Sequence, residues 1–217
     1  YLFLYRAQWN CYERICLNSF RFIFCISITI AFGLVLETGR RTMRIYYFVY
    51  FRIKVLFLFF KNATKRTILD PRMRLSGEKK FLVGRDTTIK NVVINLNEGS
   101  LHIGSGCWVN DGVEFNPAEK ITLGKKTSIQ RNSTINGTVT FGRDVIVAPN
   151  VFISSSTHVF EFKNNYSIKA QDKVISRMEF FERYNKPIII GDGVWLGINV
   201  VVMPGVQIGS HTIVGAN

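Results

Sequence analysis

Bulky apolar side chains recur at every sixth position through the middle of this chain. Leu123, Ile129, Ile135, Phe141, Val147 and Ile153 follow one another without a slip. Four residues after each stands a small or β-branched residue: Thr127, Ser133, Val139, Val145, Val151 and Thr157. The position directly after is often small or turn-prone, as at Gly124, Asn136, Gly142, Ala148 and Ser154. A period of six matches neither one face of a helix nor a simply alternating strand. Repetition at this fixed interval predicts a β-helix, in which three one-hexad strands make a triangular coil of about eighteen residues. The bulky residue points inward, the small one lies inward near a corner, and Gly, Asn or Ala lets the backbone turn. Each inward Val, Ile or Leu contributes roughly 1.5–3 kcal/mol. One coil cannot bury itself, so the stack is the folding unit.

The same pattern extends both ways. Val83 and Ile89 are six apart, and Ile103, Val109, Phe115 and Ile121 form another register with Gly104, Asn110 and Asn116 at its corners. Glu119 and Lys125 occupy places that require small residues, which predicts irregular turns or a bulge there, and the register jumps by two from Ile121 to Leu123. Beyond a polar interruption it resumes with Ile190, Leu196, Val202, Ile208 and Val214, accompanied by Val194, Val200, Val206 and Thr212. The prediction is an all-β prism over residues 77–217, with one long loop, 159–187, inserted between coils. Lengthening a surface loop costs only about 0.6 kcal/mol per doubling, so the insertion needs no stabilising role. Its Tyr166, Phe180, Phe181 and Tyr184 offer flat aromatic faces for stacking.

The N-terminal part is of another kind. Residues 1–80 hold fifteen Lys and Arg against four Asp and Glu, whereas 81–217 hold thirteen against eleven. A nearly neutral prism with no basic stripe argues against nucleic acid, while a basic, apolar arm suits an anionic membrane surface. Phe20 to Leu36 is at the lower edge of membrane-spanning length. Residues 45–60 carry Arg52 and Lys54 in mid-run, which favours lying in the membrane interface over crossing it; packing on the prism or on a neighbour is the alternative. Met43 resembles an ordinary bacterial start. Residues 1–42 are therefore expected to be non-native or a membrane-associated lead, and 43–76 an amphipathic arm. Asn217 falls in mid-hexad, so a truncated C-terminal end is expected. Cys11, Cys16, Cys25 and Cys107 have no paired spacing, which indicates a reducing cytoplasm rather than a disulfide framework. His102, His158 and His211 lie too far apart in sequence for the close ligand pair of a metal-dependent β-helix enzyme, and no metal is expected.

Residues 138–158, TVTFGRDVIVAPNVFISSSTH, and 187–217, PIIIGDGVWLGINVVVMPGVQIGSHTIVGAN, resemble the hexapeptide-repeat, left-handed parallel β-helix acyltransferases. The nearest groups are the maltose/galactoside O-acetyltransferases and those of bacterial surface-polysaccharide biosynthesis. The resemblance implies acetyl-CoA as donor, a homotrimer, and active sites between neighbouring prisms. His158 corresponds to the family's catalytic histidine. Imidazole suits removal of a hydroxyl proton as the oxygen attacks a thioester, so no covalent acetyl-enzyme is required. Asn136 stands where relatives carry an acidic residue of the acceptor pocket; it can hydrogen-bond a sugar but carries no charge. Ser128 and Tyr166 are further acceptor candidates. Trp195, Gly197, Ile198, Gly215 and Ala216 correspond to the cofactor groove, Gly197 and Ile198 through their backbone amides and Gly215 and Ala216 as a strand edge. The expected activity is O-acetylation of a sugar or a surface-polysaccharide precursor, in the cytoplasm or peripherally at the inner membrane face. An N-acetyltransferase acting on an amino sugar and a non-catalytic trimeric scaffold remain as alternatives.

Overall fold

The computed structural model describes residues 49–55, 58 and 65–217. The expectations for residues 1–42, and for the Phe20–Leu36 block in particular, lie outside the described residues.

Three columns of short parallel strands form the faces of a prism. The first face is β1 (Ile68–Leu69), β4 (Thr88–Ile89), β7 (Trp108–Val109), β9 (Ser128–Ile129), β11 (Ile146–Val147), β14 (Trp195–Leu196) and β17 (Ile213–Val214). The second is β2 (Arg74–Gly77), β5 (Val93–Leu96), the first part of β8 (Glu114–Leu123), the first part of β10 (Thr134–Phe141), β12 (Phe152–Ser154) and β15 (Val201–Val202). The third is β3 (Phe81–Val83), β6 (Ser100–Ile103), the ends of β8 and β10, β13 (Ile188–Ile190) and β16 (Gln207–Ile208). The hexad anchors stack like on like inside: Ile89, Val109, Ile129, Val147 and Leu196 on the first face, Ile94, Phe115, Ile135 and Ile153 on the second. Every one of them is buried.

The small inward residues do more than fit a corner. Thr67 Oγ1 donates to Gly84 O, Thr87 Oγ1 to Gly104 O, Cys107 Sγ to Gly124 O and Thr127 Oγ1 to Gly142 O. Each hydroxyl or thiol thereby satisfies a corner carbonyl on the next coil, which a buried backbone group requires. The corner residues Asn132, Asn150, Asn199 and Asn217 all have φ near +60°, which Asn tolerates better than most side chains. Asn150 Nδ2 donates to Asn199 Oδ1, and Asn199 Nδ2 to Asn217 Oδ1.

Three details differ from the sequence expectation. Partnered positions Ile68, Thr88, Trp108 and Ser128 recur every twenty residues, and the eighteen-residue coil appears only from Ser128 to Ile146 and from Trp195 to Ile213. The extra residues of the β8 coil are taken up by a register shift against Gly137–Val139, at the Glu119 irregularity. Strand pairing begins at Ile68, ahead of Gly77, because Leu69, Met73 and Leu75 already enter the core. Thr157 leaves the inward series and sits at the surface of the insertion.

Residues 51–55 are helical and cap the N-terminal end of the prism, with Val55 buried and Leu58 packed against the core. Arg52 donates to Pro71 O at 2.8 Å, and Lys54 Nζ to Gly77 O at 2.7 Å. The two mid-run cations thus bind first-coil carbonyls. Among the described residues no helix is long and apolar enough to cross a membrane.

Candidate active site

The insertion leaves the prism after β12 and returns before β13. Its two ends are clamped together: Ser156 and Asn185 form an isolated antiparallel bridge, Ser155 Oγ donates to Asn185 Oδ1, and Lys186 N–H donates to Ser155 O. Ser155 and Asn185 are buried. Thr138 N–H also donates to Ser155 Oγ, at 2.7 Å. Gly137, at φ +90°, makes this possible, since a Cβ there would lie 2.0 Å from Ser155 Oγ.

Between the clamped ends the predicted loop contains two short helices, α1 (Ile168–Val174) and α2 (Arg177–Tyr184). Ser167 caps α1 by accepting from Ala170 N–H. Ser176 and Glu179 form a capping box on α2. Tyr184 O accepts from Thr157 N–H, so the C-terminus of α2 lies against the residue preceding His158.

His158 is 80% exposed and stands in an open cleft of about 720 Å³. Phe152, Met203, Ile175 and Phe180 give the cleft apolar walls, and Ser154, Ser156, Thr157 and Asp172 its polar groups. His158 Nδ1 lies 2.7 Å from Asp172 Oδ2, and Val159 N–H donates to Asp172 Oδ1 at 2.8 Å. The Val159 N–H, against some desolvation and helped by His158, holds the Asp172 carboxyl below its ordinary value. An ionised carboxylate only accepts, so the proton of neutral His158 sits on Nδ1 and the Nε2 lone pair is free. Arg177 enters the cleft from α2 and pairs with Glu98 at 2.9 Å, which ties the insertion to an earlier coil.

Of the site residues singled out in the sequence, His158 and, among the insertion's aromatics, Phe180 line this cleft. Asn136 is half-buried on the second face, in register with Ser154, and its Oδ1 accepts from Asn116 Nδ2. Asn116 in turn accepts from Asn95, which accepts from Ser76, so Asn136 ends a ladder of side chains beside the cleft. Tyr166 is exposed on the insertion with Lys163 5.4 Å from its ring centre. Ser128 and Trp195 belong to the first face, with Ile146 between them. On that face Trp108, Ile146, Trp195 and Ile213 form an exposed apolar column.

Gly197 departs from its expected part: its N–H donates to Val214 O, in the coil-to-coil ladder. Its use is steric, because a Cβ there would lie 2.7 Å from Ala216 N. The N–H groups of Ile198, Gly215 and Ala216 make no backbone hydrogen bond among the described residues. With the Trp195 indole they offer a flat wall and free donors. Cys107 is buried with its thiol pushed up by burial. Among the described residues no group of three His, Cys, Asp or Glu converges as metal ligands.

Asp172 was missed in the sequence. It is one of four acidic residues in the insertion, with Glu161, Glu179 and Glu182. Only the fold of α1 distinguishes it.

A family model for the bacterial transferase hexapeptide (six repeats) matches residues 187–217. The chain is 35% identical over 153 residues to a galactoside O-acetyltransferase of Escherichia coli (strain K12), covering 67% of this chain and 68% of that protein. It is 30% identical over 156 residues to a galactoside O-acetyltransferase of Lactococcus lactis subsp. lactis (strain IL1403), with 71% and 60% covered. A third relative, 30% identical over 125 residues with 56% and 62% covered, is an Escherichia coli (strain K12) protein named as a proposed lipopolysaccharide biosynthesis O-acetyl transferase, WbbJ. The chain thus spans 60 to 68% of the length of these relatives. The column of hexads and these likenesses define the class: the chain belongs to the hexapeptide-repeat acyltransferases, and its prism is a left-handed parallel β-helix.

Proposed function

We propose that this protein is an acetyl-CoA-dependent O-acetyltransferase acting on a hydroxyl of a sugar or of a surface-polysaccharide precursor, with His158 as general base. The observation that carries this reading is the His158–Asp172 pair at an open cleft with aromatic walls. Phe152 and Phe180 suit the apolar face of a sugar ring, and Asn136, next to Ser154 at the cleft, suits a hydrogen bond to one of its oxygens. Tyr166 and Ser128 are secondary acceptor contacts.

Acetyl-CoA supplies the acetyl carbonyl. His158 Nε2 takes the acceptor hydroxyl proton as that oxygen bonds to the carbonyl carbon, and it returns the proton to the departing sulfur as the carbon–sulfur bond breaks. Asp172 stabilises the imidazolium between these transfers. The cycle needs neither a metal nor a covalent enzyme intermediate.

Trp195, Ile198, Gly215 and Ala216 are the proposed pantetheine contacts, with Gly197 keeping the wall flat. They stand on a different prism face from His158, which supports a homotrimer whose sites combine one subunit's cleft with a neighbour's first face. The exposed column of Trp108, Ile146, Trp195 and Ile213 suits such burial. We place the enzyme in the cytoplasm, peripheral to the inner membrane face, with the side chains of residues 45–60 that do not pack on the prism as the proposed lipid contact.

The test is acetyl-CoA turnover against a panel of sugars and purified glycans. His158→Ala should lower the rate by roughly 10²–10⁴. Turnover retained in that variant removes the general-base role, and no CoA binding by calorimetry would favour a scaffold.

A further inference from the structure

α1 is seven residues long, too short to hold its own shape in water. Its apolar Ile168 and Val174 are exposed, and its one buried side chain is Gln171, 2% exposed. The Gln171 carboxamide uses its full set of hydrogen-bonding sites. Its Oε1 accepts from Phe162 N–H and Lys163 N–H, each at 2.9 Å. Its Nε2 donates to Phe160 O at 3.4 Å and to Tyr166 O at 3.0 Å. Backbone donors on one side and acceptors on the other leave the amide a single orientation. The next residue, Asp172, takes His158 Nδ1 and Val159 N–H. Two consecutive residues of α1 therefore organise the chain from 158 to 166.

We propose that Gln171 is a positioning residue for His158: it fixes α1 against residues 160–166, and through α1 it fixes the Asp172 carboxylate that orients the imidazole. This rests on the reading of His158 as general base. Gln171 acts at a distance, with its amide enclosed by backbone. Its loss would leave two N–H and two C=O groups unpaired in a partly buried place, and the segment would open to hydrate them. No apolar side chain of α1 is buried to hold the helix in its absence.

The test replaces the amide with an apolar side chain of equal length, Gln171→Met, in the full chain. Three quantities are measured: kcat and the acetyl-CoA KM, thermal unfolding, and the long-range ¹H–¹⁵N spectrum of the His158 imidazole. We expect kcat to fall about 10- to 100-fold, the order that small misplacements of a reacting group produce. The acetyl-CoA KM and the unfolding of the prism should stay near wild type. The imidazole should pass from one Nδ1–H tautomer to a mixture, as it should also in Asp172→Asn. Should the Met variant fail to fold, Gln171→Asn keeps an amide that is one methylene too short and is read in the same way. An unchanged tautomer spectrum overturns the proposal whatever happens to kcat, and so does a shifted spectrum with wild-type kcat while His158→Ala is inactive. If the spectrum shifts but His158→Ala still turns over, the coupling stands and the general-base reading falls.

Discussion

His158 Nδ1 and Asp172 Oδ2 lie 2.7 Å apart although the two residues are fourteen positions apart in the chain. The histidine is the last residue the departing chain places at the prism's edge; the carboxylate comes back to it on a helix. Replacing Asp172 with Asn should leave the prism intact and lower kcat by about 10- to 100-fold, because the imidazole loses its fixed direction. Steady-state kinetics beside a thermal melt separate this from unfolding.

The pH dependence follows from the same pair. The Asp172 carboxyl is held low, first by the Val159 N–H and also by His158. A depressed carboxyl contributes stability that is present above its unfolded value, about 3.9, and is lost only as pH falls through its lower folded value. Asp172 therefore stays ionised throughout the weakly acid range. The stability difference between wild type and Asp172→Asn, read by urea unfolding, should therefore hold constant across that range and shrink only at lower pH; a difference that shrinks within it would show that Asp172 titrates there.

Gly137 is a steric requirement. At φ +90°, with a Cβ placed 2.0 Å from Ser155 Oγ, Gly137→Ala should cost about 1–3 kcal/mol in backbone strain and push Ser155 off Asn185. Urea unfolding should register the loss of stability. Activity should fall further than stability does, since the clamp sets where His158 emerges.

Cys107 offers the opposite case. Its thiol is buried and donates to Gly124 O, where Thr87 and Thr127 use hydroxyls in the same way. Cys107→Thr should fold and turn over close to wild type. A large loss of kcat without loss of stability would instead point to a covalent role for the thiol.

Much of the column was legible because its burden falls on single residues at a fixed interval. Ile129, Ile135, Phe141, Val147 and Ile153 are all buried where the six-residue count puts them. The twenty-residue coils were not legible, since the added residues lie between the second and third faces, at 78–80, 97–99 and 117–120, in short and mostly polar stretches without period. The start at Ile68 was hidden because the hexad of Leu69, Met73 and Leu75 carries a bulky Met where other coils have a small residue, and an eight-residue step separates Leu75 from Val83. In the site, His158 stood out through its place at the end of a regular run. Asp172 and Gln171 depend on the tertiary position of a seven-residue helix, for which sequence periodicity is too short to speak.

The clamp of Ser155 and Asn185 has an evolutionary corollary. With departure and return fastened at one point, the intervening segment behaves as an exchangeable cassette. Its length and aromatic content can drift, or be swapped by an engineer, without disturbing the register of any neighbouring coil. Acceptor choice can therefore diversify on an unchanged scaffold, provided each new cassette brings a carboxylate back to the waiting imidazole.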